Sequence, residues 1–409
     1  MTIKFQQFEE HIDSKDLNDF LRSEKRKVSS TKRTALIDLE NDIYGDNDNL
    51  SDIEKKELEY KFRRLILKNV QYTINREILI SSINIKNKSV LFNRYNGEDE
   101  LLIDNNEIFD YEKISTKYRQ LYRNVNINSD NKIVNIKFIF GKKYKVNELD
   151  LEGYEITEKF DYIYINVDVE NEILTMSIAE KSNNMLKENH SSNSLFERFI
   201  VNNISDKYEF SIEENNELHT LYKMFNELTK EEENIYRKRT LESENLINNF
   251  INEVNIKYNF KDYNEINEWT LRVNNLVTRR LIRQDFDSFL NRAFSVGKVL
   301  KIRFVDVLGG TVDAKSGGTF GNKELDLQDS DVYFDTKDSI HIEKALKSIT
   351  IRWDIPDEIL PKDDRTKYLN VRYTAYKRYY ITHFIKMNVR EEVAEYVLPK
   401  FEWYRKIPE

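Results

Sequence analysis

Glycine is distributed so unevenly in this chain that it limits the fold more than any other feature. Six of the ten glycines fall between Gly297 and Gly321. Glycine lets the backbone take φ > 0 and lets a neighbour approach closely, at an entropic cost inside regular elements. Tight geometry is therefore concentrated in Gly297–Asp335, GKVLKIRFVDVLGGTVDAKSGGTFGNKELDLQDSDVYFD. The rest of the chain must be built from helices and strands that turn on Asn, Asp and Ser.

Hydrophobic periodicity divides the chain into four regions and predicts an α+β fold, in which helical segments alternate with antiparallel β-hairpin or meander regions in more than one domain. Residues 1–85 read as helical. The capping box Ser51-x-x-Glu54 opens a helix carrying Leu58, Phe62, Leu65, Ile66, Val70 and Ile74 on one face. The preceding loop sets Asp46, Asp48 and Glu57 at positions 1, 3 and 12 of an EF-hand-like loop, but Ser51 stands where the turn needs glycine. It reads as a capping loop.

Residues 86–185 switch to period two and read as antiparallel β structure. Asn96-Gly97 is a two-residue hairpin signal, and Val134, Ile136, Phe138 and Phe140 share one face of a strand. A second hairpin turning at Glu170-Asn171 would oppose Val167 to Leu174, Ile165 to Met176 and Ile163 to Ile178. Residues 186–295 return to helix. Capping boxes at Ser194-x-x-Glu197 and Thr229-x-x-Glu232 mark starts, the second helix running to about Tyr258 with Leu246, Ile247, Phe250, Ile251 and Val254 as its stripe. Residues 296–409 hold the glycine-rich hairpin region, followed by a basic, Tyr-rich helix over 365–390. There Leu369, Tyr373, Tyr376, Tyr380 and Met387 cluster at 3.6-residue spacing.

Composition removes several chemistries. With no cysteine, disulfides, thiolate metal sites and Cys nucleophiles are excluded, and a metal could be held only by O and N ligands. The charged opening MTIKFQQFEEHIDSKD lacks the apolar core of a signal peptide, and no apolar run is long enough to span a membrane. The expectation is a soluble cytoplasmic protein, or one acting inside a phage-infected cell or virion. The abundance of Asn, Lys and Ile resembles proteins from AT-rich bacterial or phage genomes.

Chemistry is sought in the glycine-rich stretch. A turn at Gly309-Gly310 would set Asp306 opposite Asp313 and Phe304 opposite Lys315. Two acids and a lysine on a hairpin resemble the Asp…Asp-x-Lys core of restriction-type metal-dependent nucleases. That resemblance implies Asp306 and Asp313 as ligands of Mg²⁺ and Lys315 as the catalytic lysine of a phosphodiesterase. An overlapping pattern, Gly309-Gly310 followed by Glu324 and Asp326, looks like a nucleotidyltransferase signature, with Glu324 and Asp326 as the metal ligands it implies. A competing register uses Gly317-Gly318 with Asp329 and Asp331. Either enzyme would require Mg²⁺. No P-loop and no histidine ligand set is present.

Net charge is −8, so any attraction for nucleic acid has to be local. Between Arg272 and Arg303 eight basic residues, among them Arg279, Arg280 and Arg283, face two acids, and 365–390 holds seven basic residues and no acid. On a helix over the latter span, Arg365, Arg372, Lys386 and Arg390 flank Tyr379, a pattern suited to gripping phosphate and stacking bases. The functional expectation is an interaction or assembly protein, with protein partners or a second copy of itself, and nucleic acid held on 272–303 and 365–390. The enzyme readings are its alternatives.

Overall fold

The computed structural model describes residues 4–45, 50–72, 75–85, 109–130, 132–150, 153–179, 196, 204–205, 210–259, 263–285, 297–306, 309–316, 326–359, 368–385 and 391–408. The fold is α+β with antiparallel sheet. It divides into two compact units, the first comprising 1–215 and 386–394, the second 216–385 and 395–409. Among the described residues no helix is long and apolar enough to cross a membrane.

In the first unit a short 3₁₀ turn at Phe5–His11 leads into α1 (Ser14–Ser23), α2 (Lys32–Tyr44) and α3 (Asp52–Tyr72). The capping box forms as expected: the Ser51 backbone N–H donates to the Glu54 carboxylate, and the Glu54 N–H donates back to Ser51 Oγ. Leu58, Phe62, Ile66 and Val70 are buried, so the predicted face of α3 is the one that packs. Residues 75–85, read from sequence as the end of the helical region, form a strand instead, β1 (Asn75–Ile85). Its run EILISSINI is β-branched and apolar, which suits a pleated, buried surface.

Strands β2 (Arg119–Ile127), β3 (Ile133–Asp150), β4 (Gly153–Asp168) and β5 (Ile173–Ala179) join β1 in the order β2-β3-β4-β5-β1, and β6 (Phe210–Ile212) pairs with the end of β1. The β4–β5 register is the predicted one, pairing Ile163 with Ile178, Ile165 with Met176 and Val167 with Leu174. Leu121, Ile139, Phe160 and Tyr162 turn to the other face, where they pack with the helices in one core. The Asn96-Gly97 hairpin lies outside the described residues.

The second unit begins with α4 (Glu217–Leu241), α5 (Glu244–Tyr258) and α6 (Tyr263–Gln284). Thr229 does not open a helix. The N-cap is Asn216, and Thr229 lies inside α4 with its hydroxyl donating to the Phe225 carbonyl. A Thr hydroxyl can satisfy itself this way mid-helix, so a capping-box pattern inside a longer apolar period loses to packing. Of the predicted α5 stripe, Ile247 and Ile251 are buried while Leu246 and Phe250 are exposed.

The sheet of this unit contains β7 (Gly297–Val305), β8 (Thr311–Lys315), β9 (Ser348–Asp354), β10 (Tyr368–Ala375) and β11 (Tyr380–Phe384), ordered β8-β7-β9-β10-β11 and antiparallel throughout. Between β8 and β9 the chain forms α7 (Asp331–Glu343), and α8 (Glu391–Arg405) follows β11. The basic, Tyr-rich segment is therefore a hairpin and not a helix: Leu369, Val371, Tyr373 and Ala375 alternate inward along β10. Aromatic spacing satisfied two periods at once, and burial of one sheet face decides for the strand. Phe304, Ile349, Ile351, Trp353 and Tyr380 join these on the inner face, each contributing about 1.5–3 kcal/mol by burial. α4 covers it along β7, β9 and β10, and Phe401 of α8 stacks on Tyr380 with ring centroids 3.5 Å apart.

Candidate nucleic-acid interface

The outer face of the second unit's sheet is built by the same alternation that builds its core. Residues paired directly across antiparallel strands project to one side. Lys315 pairs with Lys301, Lys301 with Thr350, Thr350 with Arg372, and Arg372 with His383, so one row crosses all five strands. A bulge between Val299 and Lys301 restores phase along β7, placing Lys298 on this side opposite Arg352. Arg303 lies opposite Asp313 one row further on. Six cationic side chains (Lys298, Lys301, Arg303, Lys315, Arg352, Arg372) thus share a face with two carboxylates, Asp313 and Asp354. Lys315, Arg303 and Arg372 are exposed.

The two acids are placed differently. Asp313 accepts from Lys301 Nζ at 2.8 Å and from Arg303 at 2.7 Å. Slight burial pushes its carboxyl upward, but the two cations outweigh that and hold it below its ordinary value. Among the described residues neither Lys315 nor Arg372 is in an ion pair. Asp354 sits at the far end of β9, opposite Tyr368. Tyr368 is 38% exposed, and the Arg352 guanidinium lies over its ring, 4.5 Å from the centroid. An Arg on an aromatic face gains cation–π attraction and leaves both groups pre-positioned.

The β7–β8 connection departs from the two-residue turn expected at Gly309-Gly310. The observed register pairs Val305 with Thr311, Phe304 with Val312, Arg303 with Asp313 and Lys301 with Lys315. Asp306 is not opposite Asp313, and Phe304 is not opposite Lys315. Asp306 instead closes the loop: its N–H donates to the Gly310 carbonyl, and its Oδ1 accepts from the Gly310 N–H at 2.6 Å. Gly309 supplies φ +86°, which the loop requires. The physical reason for the shift is pairing quality. It sets Phe304 against Val312 and Arg303 against Asp313, and Asp313 also accepts from Lys301, which offsets the like-charged Lys301–Lys315 pair; the predicted register set carboxylate against carboxylate.

The cross-strand acid pair on which the nuclease resemblance rests is therefore not formed. Lys315 stands with the basic row. Asp326 is buried and accepts from the Gln328 N–H, at the start of a 3₁₀ turn and not on a strand. Asp329 and Asp331 likewise lie at the junction of that turn with α7. Glu324, Gly317 and Gly318 lie outside the described residues. Among the described residues no group of three or more His, Asp or Glu side chains is placed to hold a metal ion.

Of the residues expected to meet nucleic acid, Arg372 is on the open face. Tyr379 is buried at the β10–β11 turn, stacked on Tyr376 with centroids 4.8 Å apart. Arg279 is engaged by Asp335, while Arg280 and Arg283 are exposed along the end of α6. Arg365, Lys386 and Arg390 lie outside the described residues. Sequence reasoning did not single out Arg352, Tyr368 or Thr350, because only strand register brings them beside Lys301 and Arg372. The alternation in SITIRWD and YLNVRYTA was the available signal. No protein-family model matches this chain, and no curated protein matches it.

Proposed function

We propose that the chain is an interaction protein that holds nucleic acid on the open sheet face of its second unit. The observation that supports this reading is the row Lys315–Lys301–Thr350–Arg372–His383, in which cations from β8, β7 and β10 meet on one surface. A chain of net charge −8 offers no general attraction for a polyanion, so a local excess of cations on one face of a sheet is informative. Lysine and arginine on such a face neutralise phosphates and release counterions, which gives salt-dependent affinity. Arg303 and Lys301 keep part of their charge for Asp313, so Lys315 and Arg372 carry the larger share of the binding.

The test is a salt titration of binding to a fluorescent oligonucleotide. Lys315→Gln with Arg372→Gln weakens binding and lowers the slope of log K against log salt by about 0.7 per lost contact on a single strand. Lys56→Gln with Arg64→Gln, the same loss of two charges on exposed residues of α3, leaves both unchanged. Equal slopes in the double variant and the parent would contradict the assignment. Mg²⁺-dependent scission of the oligonucleotide, lost in Asp313→Ala, would replace the binding reading with the phosphodiesterase one.

A further inference from the structure

We infer that the ligand of this face is single-stranded, with phosphates on Lys315, Lys301 and Arg372 and a base stacked on Tyr368 beside Arg352. The inference rests on the nucleic-acid reading above and adds the strandedness and the contact that decides it. Readers of duplex DNA insert a helix or a two-stranded ribbon into a groove. Here the cations lie across four adjacent strands, β8, β7, β9 and β10, and among the described residues no helix or ribbon projects from the row to enter a groove. The exposed ring of Tyr368, at the first position of β10, supplies what a paired duplex cannot use, a π-face for an unstacked base. Arg352 already stacks on that ring, so a guanidinium plane extends the platform.

Strand spacing sets the size of the site. The row from β8 to β11 covers four interstrand steps of about 4.8 Å, roughly 19 Å in all. At the stacked rise of about 3.4 Å per nucleotide that distance takes about six nucleotides, and fewer if the strand is stretched.

The experiment is fluorescence anisotropy of the full chain at low salt with oligothymidylates of increasing length and with a blunt duplex. Affinity rises with length and levels at about six nucleotides, and the duplex binds at least about tenfold more weakly. Tyr368→Ala weakens single-strand binding about five- to hundredfold without changing the salt slope, and Tyr368→Phe binds like the parent. Duplex binding as tight as single-strand binding, or parental affinity in Tyr368→Ala, overturns the single-strand inference and leaves the nucleic-acid reading standing. Absence of binding to every oligonucleotide overturns both. A poly-glutamate peptide that competes as well as the oligonucleotide also overturns both, since the face would then select only negative charge.

Discussion

Individual residues show how differently the two units use charge. On the open face, Asp313 ties down Lys301 and Arg303 and keeps neighbouring cations from repelling one another. In the first unit His11 is buried against the sheet, its Nε2 3.1 Å from the Phe160 carbonyl oxygen. Burial lowers its pKa from 6.5 to about 4, against the opposing pull of Glu10, the Phe160 carbonyl and Asp161. In the unfolded chain this imidazole takes up its proton near pH 6.5 and in the folded chain only near pH 4. Stability contributed by the neutral ring is complete above pH 6.5 and falls as pH drops toward 4, by about 3 kcal/mol in total. His341, whose pKa burial also lowers to about 4, adds a loss of the same sign. Urea unfolding at pH 7 and pH 4.5 should therefore show a smaller difference in His11→Gln than in the parent. An unchanged difference would mean that His11 does not drive the pH dependence.

Elements are held to one another by a few buried polar contacts, and α4 with α7 is the clearest case. Glu233 on α4 is fully buried and accepts from Tyr333 and Lys337, both on α7. Burial alone would raise its carboxyl, but Lys337, Tyr333 and Arg237 prevail and keep it ionised. Lys337→Met should cost about 3 kcal/mol in urea unfolding, the low end for breaking a buried pair, because Tyr333 and Arg237 still hold the buried carboxylate. Adding Glu233→Leu should recover most of that loss, and a double variant no better than the single one would show that packing sets the cost. Element type was legible where two signals agreed. At β4–β5 the turn and the alternation coincided, and at Ser51 the capping box stood before a clean apolar face. It was not legible at β10–β11, where the turn Tyr376–Tyr379 carries no Gly, Asn or Pro and the tyrosines also fit a helical period. The β7–β8 register failed for a related reason: the Gly309-Gly310 pair suggested a tight turn, but side-chain pairing outweighed it.

For the whole molecule, the proposed binding face is a product of topology. Lys298 and Lys301 come from one basic stretch of sequence and Arg372 from the other, and strand order brings them to one face. Arg352 lies outside both basic stretches and Tyr368 off the helical stripe of the second, and only the placement of β9 between β7 and β10 brings them to this face. The same topology removed Asp306 from Asp313 and turned a lysine read as catalytic into part of the basic row. The inner face explains why this outer one can remain open: Trp353 donates its indole N–H to the Tyr373 hydroxyl at 3.0 Å, and Gly297 gives the Trp353 ring room that a Cβ would fill. The sheet is thus secured from its inner side, and the proposal places the ligand on the other. The most direct test of that claim is photo-crosslinking of the full chain to a halogenated-pyrimidine oligonucleotide, followed by peptide mapping. The account predicts adducts on peptides from 297–306, 311–315, 348–354 and 368–375. Adducts confined to the first unit, or to Arg279–Arg283 on α6, would contradict it.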